Sequence, residues 1–247
     1  MVDEQILGIS LALVAACSWG CSSILFKTAL RESKLVKELL FSISIRGVIA
    51  VPIIGLLTLF LYGSNTLSLF MRLFSSDIIV LLFFSSLAVT IGDILFFGSL
   101  QRIEVSKAQP VGSIYPLFTA ILLVATGVEI ITPIILVGIF ILIVGISLVS
   151  QQNNESASKE NIKERRAGLI MAILAAVFWS FAIITVKLLL EYEGVNVFTL
   201  ATIRFGILTI ITAILWTLTT INQRKEEDFT FIIASRKDVA ILGIGGF

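Results

Sequence analysis

Long apolar blocks separated by short polar ones make up most of this chain. Seven of them run Ile6 to Leu30, Leu39 to Tyr62, Ile78 to Leu100, Val105 to Val128, Pro133 to Val149, Ala167 to Leu190 and Val197 to Ile221, and an eighth begins at Val239. About 20 helical residues cross a hydrocarbon core of about 30 Å, so each block predicts a membrane-spanning helix. The first block opens with Val2, Asp3 and Glu4 rather than basic residues and is too long for a signal-peptide core, so it reads as a retained helix.

The blocks repeat. "GISLALVAACSWGCSSILFKTAL" at residues 8–30 and "GLIMAILAAVFWSFAIITVKLLL" at 168–190 share eight identities in 23 positions, among them Gly8 with Gly168, Trp19 with Trp179 and Lys27 with Lys187. The register continues from "SIR" at Ser44 to "TIR" at Thr202, and from "DIIVL" at Asp77 to "DVAIL" at Asp238. Five spans precede the second copy, an odd number, so the two copies enter the membrane from opposite sides. Inverted repeats of this kind build secondary transporters.

Charge supports the inversion independently. The loop after the first span holds Arg31, Lys34 and Lys37, and its counterpart Glu191–Asn196 holds no basic residue. The next loop reverses the bias, with Arg72 in copy one against Arg224, Lys225, Arg236 and Lys237 in copy two. Because Lys and Arg collect in short cytoplasmic loops, the odd-numbered loops are expected inside and the N-terminus outside.

The expected fold is all-α: a polytopic membrane helix bundle of two inverted five-helix repeats. Residues 1–150 form the first repeat, 151–166 a hydrophilic linker and 167–247 an incomplete second repeat, the ten-helix pattern stopping within its eighth helix. Composition agrees, since 57% of residues are apolar and 14% charged, with a mean hydropathy of +1.04, far from the balance of soluble domains.

An ionisable group inside a span costs on the order of 2.5–3.5 kcal/mol at its centre, so each needs a partner or a watery cavity. Arg46 lies roughly 10 Å inside the second span and Asp93 roughly 12 Å from the end of the third, both measured from the same membrane face. That shared depth predicts an ion pair or a common polar cavity. Inversion places Arg204 equally deep from the opposite face. Lys27 and Lys187 stand near helix ends, where long side chains snorkel.

Trp19 and Trp179 fall near mid-span rather than in an interfacial belt. Trp19 lines up with Gly8, Ala12, Ala15 and Ser23, a small-residue stripe suited to close helix approach. In "QPVGSIYPLFTA" the fourth span carries Pro110, Gly112 and Pro116, and prolines that lack an N–H predict a kink where transporters bind or gate. Cys17 and Cys21 share a helix face, an arrangement poor for a disulfide, and read as small buried residues.

The chain contains no histidine, the commonest metal ligand and acid–base group. It also lacks a nucleotide-binding glycine loop, an HExxH motif and a paired-aspartate motif. No enzyme activity, metal, cofactor or nucleic-acid partner is expected.

In their order these residues resemble the EamA-type transporters of the drug/metabolite transporter superfamily. The resemblance is carried by Trp19, Lys27, Arg46, "YPLF" at Tyr115–Phe118, Glu129, Gly138 and Gly145, with Trp179, Lys187 and Arg204 in the second copy. It implies ten-helix alternating-access transport of a small metabolite of the amino-acid, sugar-nucleotide or drug-like class in the cell membrane, and a cytoplasmic N-terminus, opposite to the charge rule. A cavity lined by Trp19, Arg46, Asp93, Tyr115, Trp179 and Arg204 is the expected binding site, with Pro110, Gly112 and Pro116 as the gating kink. The expected partners are the solute, the lipid bilayer and a second copy of the chain. The alternative is a truncated, non-functional or assembly-dependent membrane fragment.

Overall fold

The computed structural model of the chain describes residues 2–29, 36–63, 65–74, 78–127, 132–151, 162–190 and 195–224. Among the described residues there are nine helices and no strand: α1 (Val2–Ala29), α2 (Val36–Tyr62), α3 (Asn65–Phe74), α4 (Ile78–Arg102), α5 (Val105–Gly112), α6 (Tyr115–Ala125), α7 (Pro133–Gln151), α8 (Ile162–Leu190) and α9 (Val197–Arg224). Hydrocarbon offers backbone groups no water, so each span closes its own hydrogen-bond ladder as a helix. Side-chain hydroxyls obey the same constraint. Those of Ser10, Ser42, Thr58, Thr90 and Thr212 each donate to the carbonyl four residues back, at 2.6 to 2.9 Å.

Among the described residues six stretches are long and apolar enough to cross a membrane, the fourth of them made of α5 and α6 together; the apolar part of α7, Pro133–Ile146, is shorter. The expected eighth span, Asp77, Glu129 and Asp238 lie outside the described residues. Helix α8 begins at Ile162 and so reaches five residues into the stretch read as linker. Its first turn is tied to the end of α4 by an Arg102–Glu164 ion pair at 3.3 Å.

Helices α2 and α9 pack closely, as do α4 and α8. Ser44 meets Thr212 at 2.9 Å while Thr58, farther along α2, meets Thr202 near the start of α9, so α2 and α9 run antiparallel. Likewise Ser85 reaches the Ala182 carbonyl, and Arg102 reaches Glu164, so α4 and α8 run antiparallel. Helix α1 runs alongside α4: Phe26 packs on Phe97 with ring centroids 4.4 Å apart, and Lys27 bonds to Leu100, while Trp19, earlier on α1, lies at the level of Trp179 and Gly92. The leading helices of the two copies, α1 and α8, therefore point in opposite directions.

The glycine and alanine positions of the small-residue stripe are buried in one copy and exposed in the other. On α8, Gly168, Ala172, Ala175 and Ala176 are buried, and a Cβ at Gly168 would come within 2.8 Å of Ile103 Cγ2. On α1, Gly8, Ala12 and Ala15 are exposed, and a Cβ at Gly8 would meet nothing within 4 Å. Cys17 and Cys21 are exposed as well, not buried. The reason is tertiary: among the described residues α1 packs only through its later turns, where Ser22, Ser23 and Phe26 are buried.

Two features are absent from the reading of apolar blocks. A short helix, α3, occupies the loop after the second span; its Leu73 is buried in a cluster with Leu82, Leu189, Leu200 and Ile203, while Met71 and Phe74 are exposed. The fourth span is broken rather than merely kinked. Helix α5 ends at Gly112, Ser113 and Ile114 form a turn, and α6 starts at Tyr115 with Pro116 in its first turn, where a missing N–H is harmless.

Candidate functional site

The polar centre of the bundle is built from α2, α4 and α8, with α9 beside it. Arg46 on α2 is 4% exposed and Asp93 on α4 is 1% exposed, and the two form an ion pair through Arg46 Nη2 and Asp93 Oδ2. The second carboxylate oxygen, Oδ1, accepts the indole N–H of Trp179 on α8 at 3.0 Å. Both oxygens of Asp93 are thus engaged, one by each repeat. Arg46 is not fully served in return, since its Nε is buried without a hydrogen-bond partner among the described residues.

Trp179 reaches Asp93 because the residue next to the aspartate has no side chain. A Cβ at Gly92 would lie 2.6 Å from Trp179 Cδ1. Around the indole stand Phe96, Tyr115 and Trp19, with ring centroids at 5.1, 6.3 and 5.8 Å; the last two meet it nearly edge-on, the geometry aromatic quadrupoles favour. Trp19 and Trp179, equivalent in the two repeats, are therefore in direct contact. Trp179 is buried, but Trp19 remains 37% exposed.

The broken fourth span contributes its turn to this wall. A Cβ at Gly112 would lie 3.0 Å from Phe96 and 3.5 Å from Trp179. Ser180 donates to the Tyr115 carbonyl at 2.8 Å, and Ser23 donates to Gln109 Oε1 at 2.6 Å, so α8 and α1 both hold the break. Pro110 is half-buried beside it and Pro116 is exposed.

Arg204 sits on α9, partly accessible, with its guanidinium 5.8 Å from the Phe205 ring. Its carbonyl accepts from Ser86 at 3.0 Å, about two turns along α4 from Asp93. The salt bridges among the described residues, Arg46–Asp93 and Arg102–Glu164, do not include Arg204. The centre thus holds two guanidiniums against one carboxylate.

The structure brings Arg46, Asp93, Tyr115, Trp19 and Trp179 into one contiguous group and sets Arg204 within range of its charges. Phe96, Gly92 and Ser180 belong to the same group and were not singled out from sequence. The one available signal was the position of Gly92 immediately before a buried aspartate. Lys27 does not snorkel. Its ammonium donates to the Leu100 and Ile103 carbonyls at the end of α4, the latter at 3.0 Å, where terminal carbonyls lack intrahelical donors.

A multi-pass helical membrane protein with a charged, aromatic-walled centre at the contact between related helix sets is a transporter in class. The chain belongs to the EamA-like transporter family, whose model matches residues 6–151 and 166–247. No curated protein matches it.

Proposed function

We propose that this transporter moves a small metabolite, of the amino-acid, sugar-nucleotide or drug-like class, across the cell membrane by alternating access. Its two copies, residues 1–150 and 167–247 joined by 151–166, rock about the centre described above. The observation that carries the reading is the Trp179–Asp93–Arg46 chain, in which a side chain of each repeat meets on one buried carboxylate. Secondary transporters place their solute at such a repeat interface near mid-membrane, beside interrupted helices. Trp19, Tyr115 and Trp179 would pack the apolar body of the solute, Arg46 and Arg204 would meet its polar end, and the Pro110–Gly112–Pro116 break would supply the hinge.

The test is counterflow in proteoliposomes containing the full-length protein. Vesicles preloaded with one unlabelled solute class should accelerate uptake of the same labelled class. Absence of such exchange across amino acids, sugar nucleotides and lipophilic cations would refute the transport reading. Initial rates with and without a pH gradient then report whether flux is coupled to protons.

A further inference from the structure

We propose that the centre takes the oxyanion of an acidic solute, a carboxylate or a phosphate, between Arg46 and Arg204. This names the solute class for the transport reading above and rests on that reading only in its flux arm. Three observations converge on it. First, the charges do not balance: Arg46 pairs with Asp93, and Arg204, whose backbone meets α4 at Ser86 about two turns from Asp93, adds a second positive charge, and arginine does not shed its proton at physiological pH. Second, Asp93 is already committed to Arg46 through Oδ2 and to Trp179 through Oδ1, and among the described residues Arg204 forms no salt bridge with it. Third, Arg46 Nε is a buried donor with no acceptor among the described residues, an arrangement that is costly until an acceptor arrives.

One incoming oxyanion answers all three. It cancels the excess charge, accepts from Arg46 Nε, and presents two oxygens to the planar guanidinium of Arg204, the fork geometry that suits carboxylate and phosphate. Asp93 is then a positioning residue. It holds Arg46 in the apolar bundle and, through Trp179, ties the aromatic wall to the charged centre.

The test is thermal unfolding of the full-length protein in detergent with two matched probe pairs, malate against malamide and glycerol 3-phosphate against glycerol. At least one acidic probe should raise Tm by several degrees while its neutral partner does not, and which pair responds separates carboxylate from phosphate. Arg204→Gln should abolish that shift and leave the ligand-free Tm unchanged or higher, because repulsion from Arg46 is lifted. Arg204→Lys should retain a weakened shift. Equal shifts from the neutral partners, or no shift from either acid, would overturn the proposal. So would a ligand-free Tm lowered by Arg204→Gln, which marks Arg204 as paired with a carboxylate of the protein itself. In proteoliposomes, acid-dependent shifts without counterflow support the anion site and count against transport. Counterflow of neutral solutes alone does the reverse.

Discussion

The indole N–H of Trp179 donates to Oδ1 of Asp93 at 3.0 Å, joining α8 of the second repeat to α4 of the first inside the bundle. Hydrogen bonds to a charged acceptor contribute about 1.5–3 kcal/mol. Trp179→Phe, which keeps the ring but removes the donor, should lower stability by about that amount. Trp19→Phe removes no bond to Asp93 and should lower it by less. Parallel unfolding curves of the two variants in detergent decide the comparison.

The Arg46–Asp93 pair should be far more sensitive to the loss of one member than of both. Asp93→Ala leaves a buried guanidinium unpaired, and breaking a buried pair in this way costs about 3–5 kcal/mol. Arg46→Met combined with Asp93→Leu removes both charges and should recover most of that loss. If the double variant is no more stable than Asp93→Ala, the pair is not the unit described here. Activity should be lost in both, since the recovered stability restores no charge.

Helix α2 meets α9 at Gly47, where a Cβ would overlap the Thr209 hydroxyl. Gly47→Ala should destabilise by about 1–3 kcal/mol through overpacking. Adding Thr209→Ala should return much of it. Gly138→Ala on α7, where a Cβ meets nothing within 4 Å, serves as the control and should change stability little. A double-mutant cycle with no coupling between positions 47 and 209 would contradict the antiparallel α2–α9 contact.

Lys27 neutralises the end of α4. A cation among terminal carbonyls is worth up to about 2 kcal/mol in partly buried settings, so Lys27→Met should destabilise by roughly 1–2 kcal/mol. Lys27→Arg should retain part of the effect. Hydrogen exchange at the last turn of α4 should quicken in the methionine variant; unchanged protection there would return Lys27 to a snorkelling role.

The basic loops predict an orientation with the odd-numbered loops in the cytoplasm. With Cys17 and Cys21 replaced by serine, a cysteine placed at Lys159 should react with an impermeant maleimide only from the cytoplasmic side, and one placed at Gly194 only from outside. Labelling in the reverse sense would favour the cytoplasmic N-terminus that the family resemblance implies. The opposed directions of α1 and α8 survive either outcome.

Much of the centre was legible because depth in a membrane is countable. Arg46 and Asp93 lie at similar distances from one face along their spans, and neither tolerates hydrocarbon alone, so their meeting follows from spacing and solvation. The role of Lys27 was not legible, since its position near a helix end is equally compatible with headgroups and with the carbonyls of a neighbour. Trp179 and Trp19 carry the same residue at equivalent places, yet only one reaches Asp93. Sequence assigned them the same status because it contains no term for which neighbour each helix receives.

By itself the sequence indicated the six apolar spans found among the described residues and the depth at which Arg46 and Asp93 meet. Both follow from the thickness of the hydrocarbon layer and the need of every backbone to satisfy itself locally. Tertiary structure alone decided that the glycine–alanine stripe is buried on α8 and bare on α1, that α3 closes over Leu189 and Leu200, and that the fourth span breaks at Ser113–Ile114 against Ser180. Between apolar helices in lipid, hydrophobicity does not choose a partner. Close packing and a few polar bonds do, and these depend on the shapes of both surfaces at once.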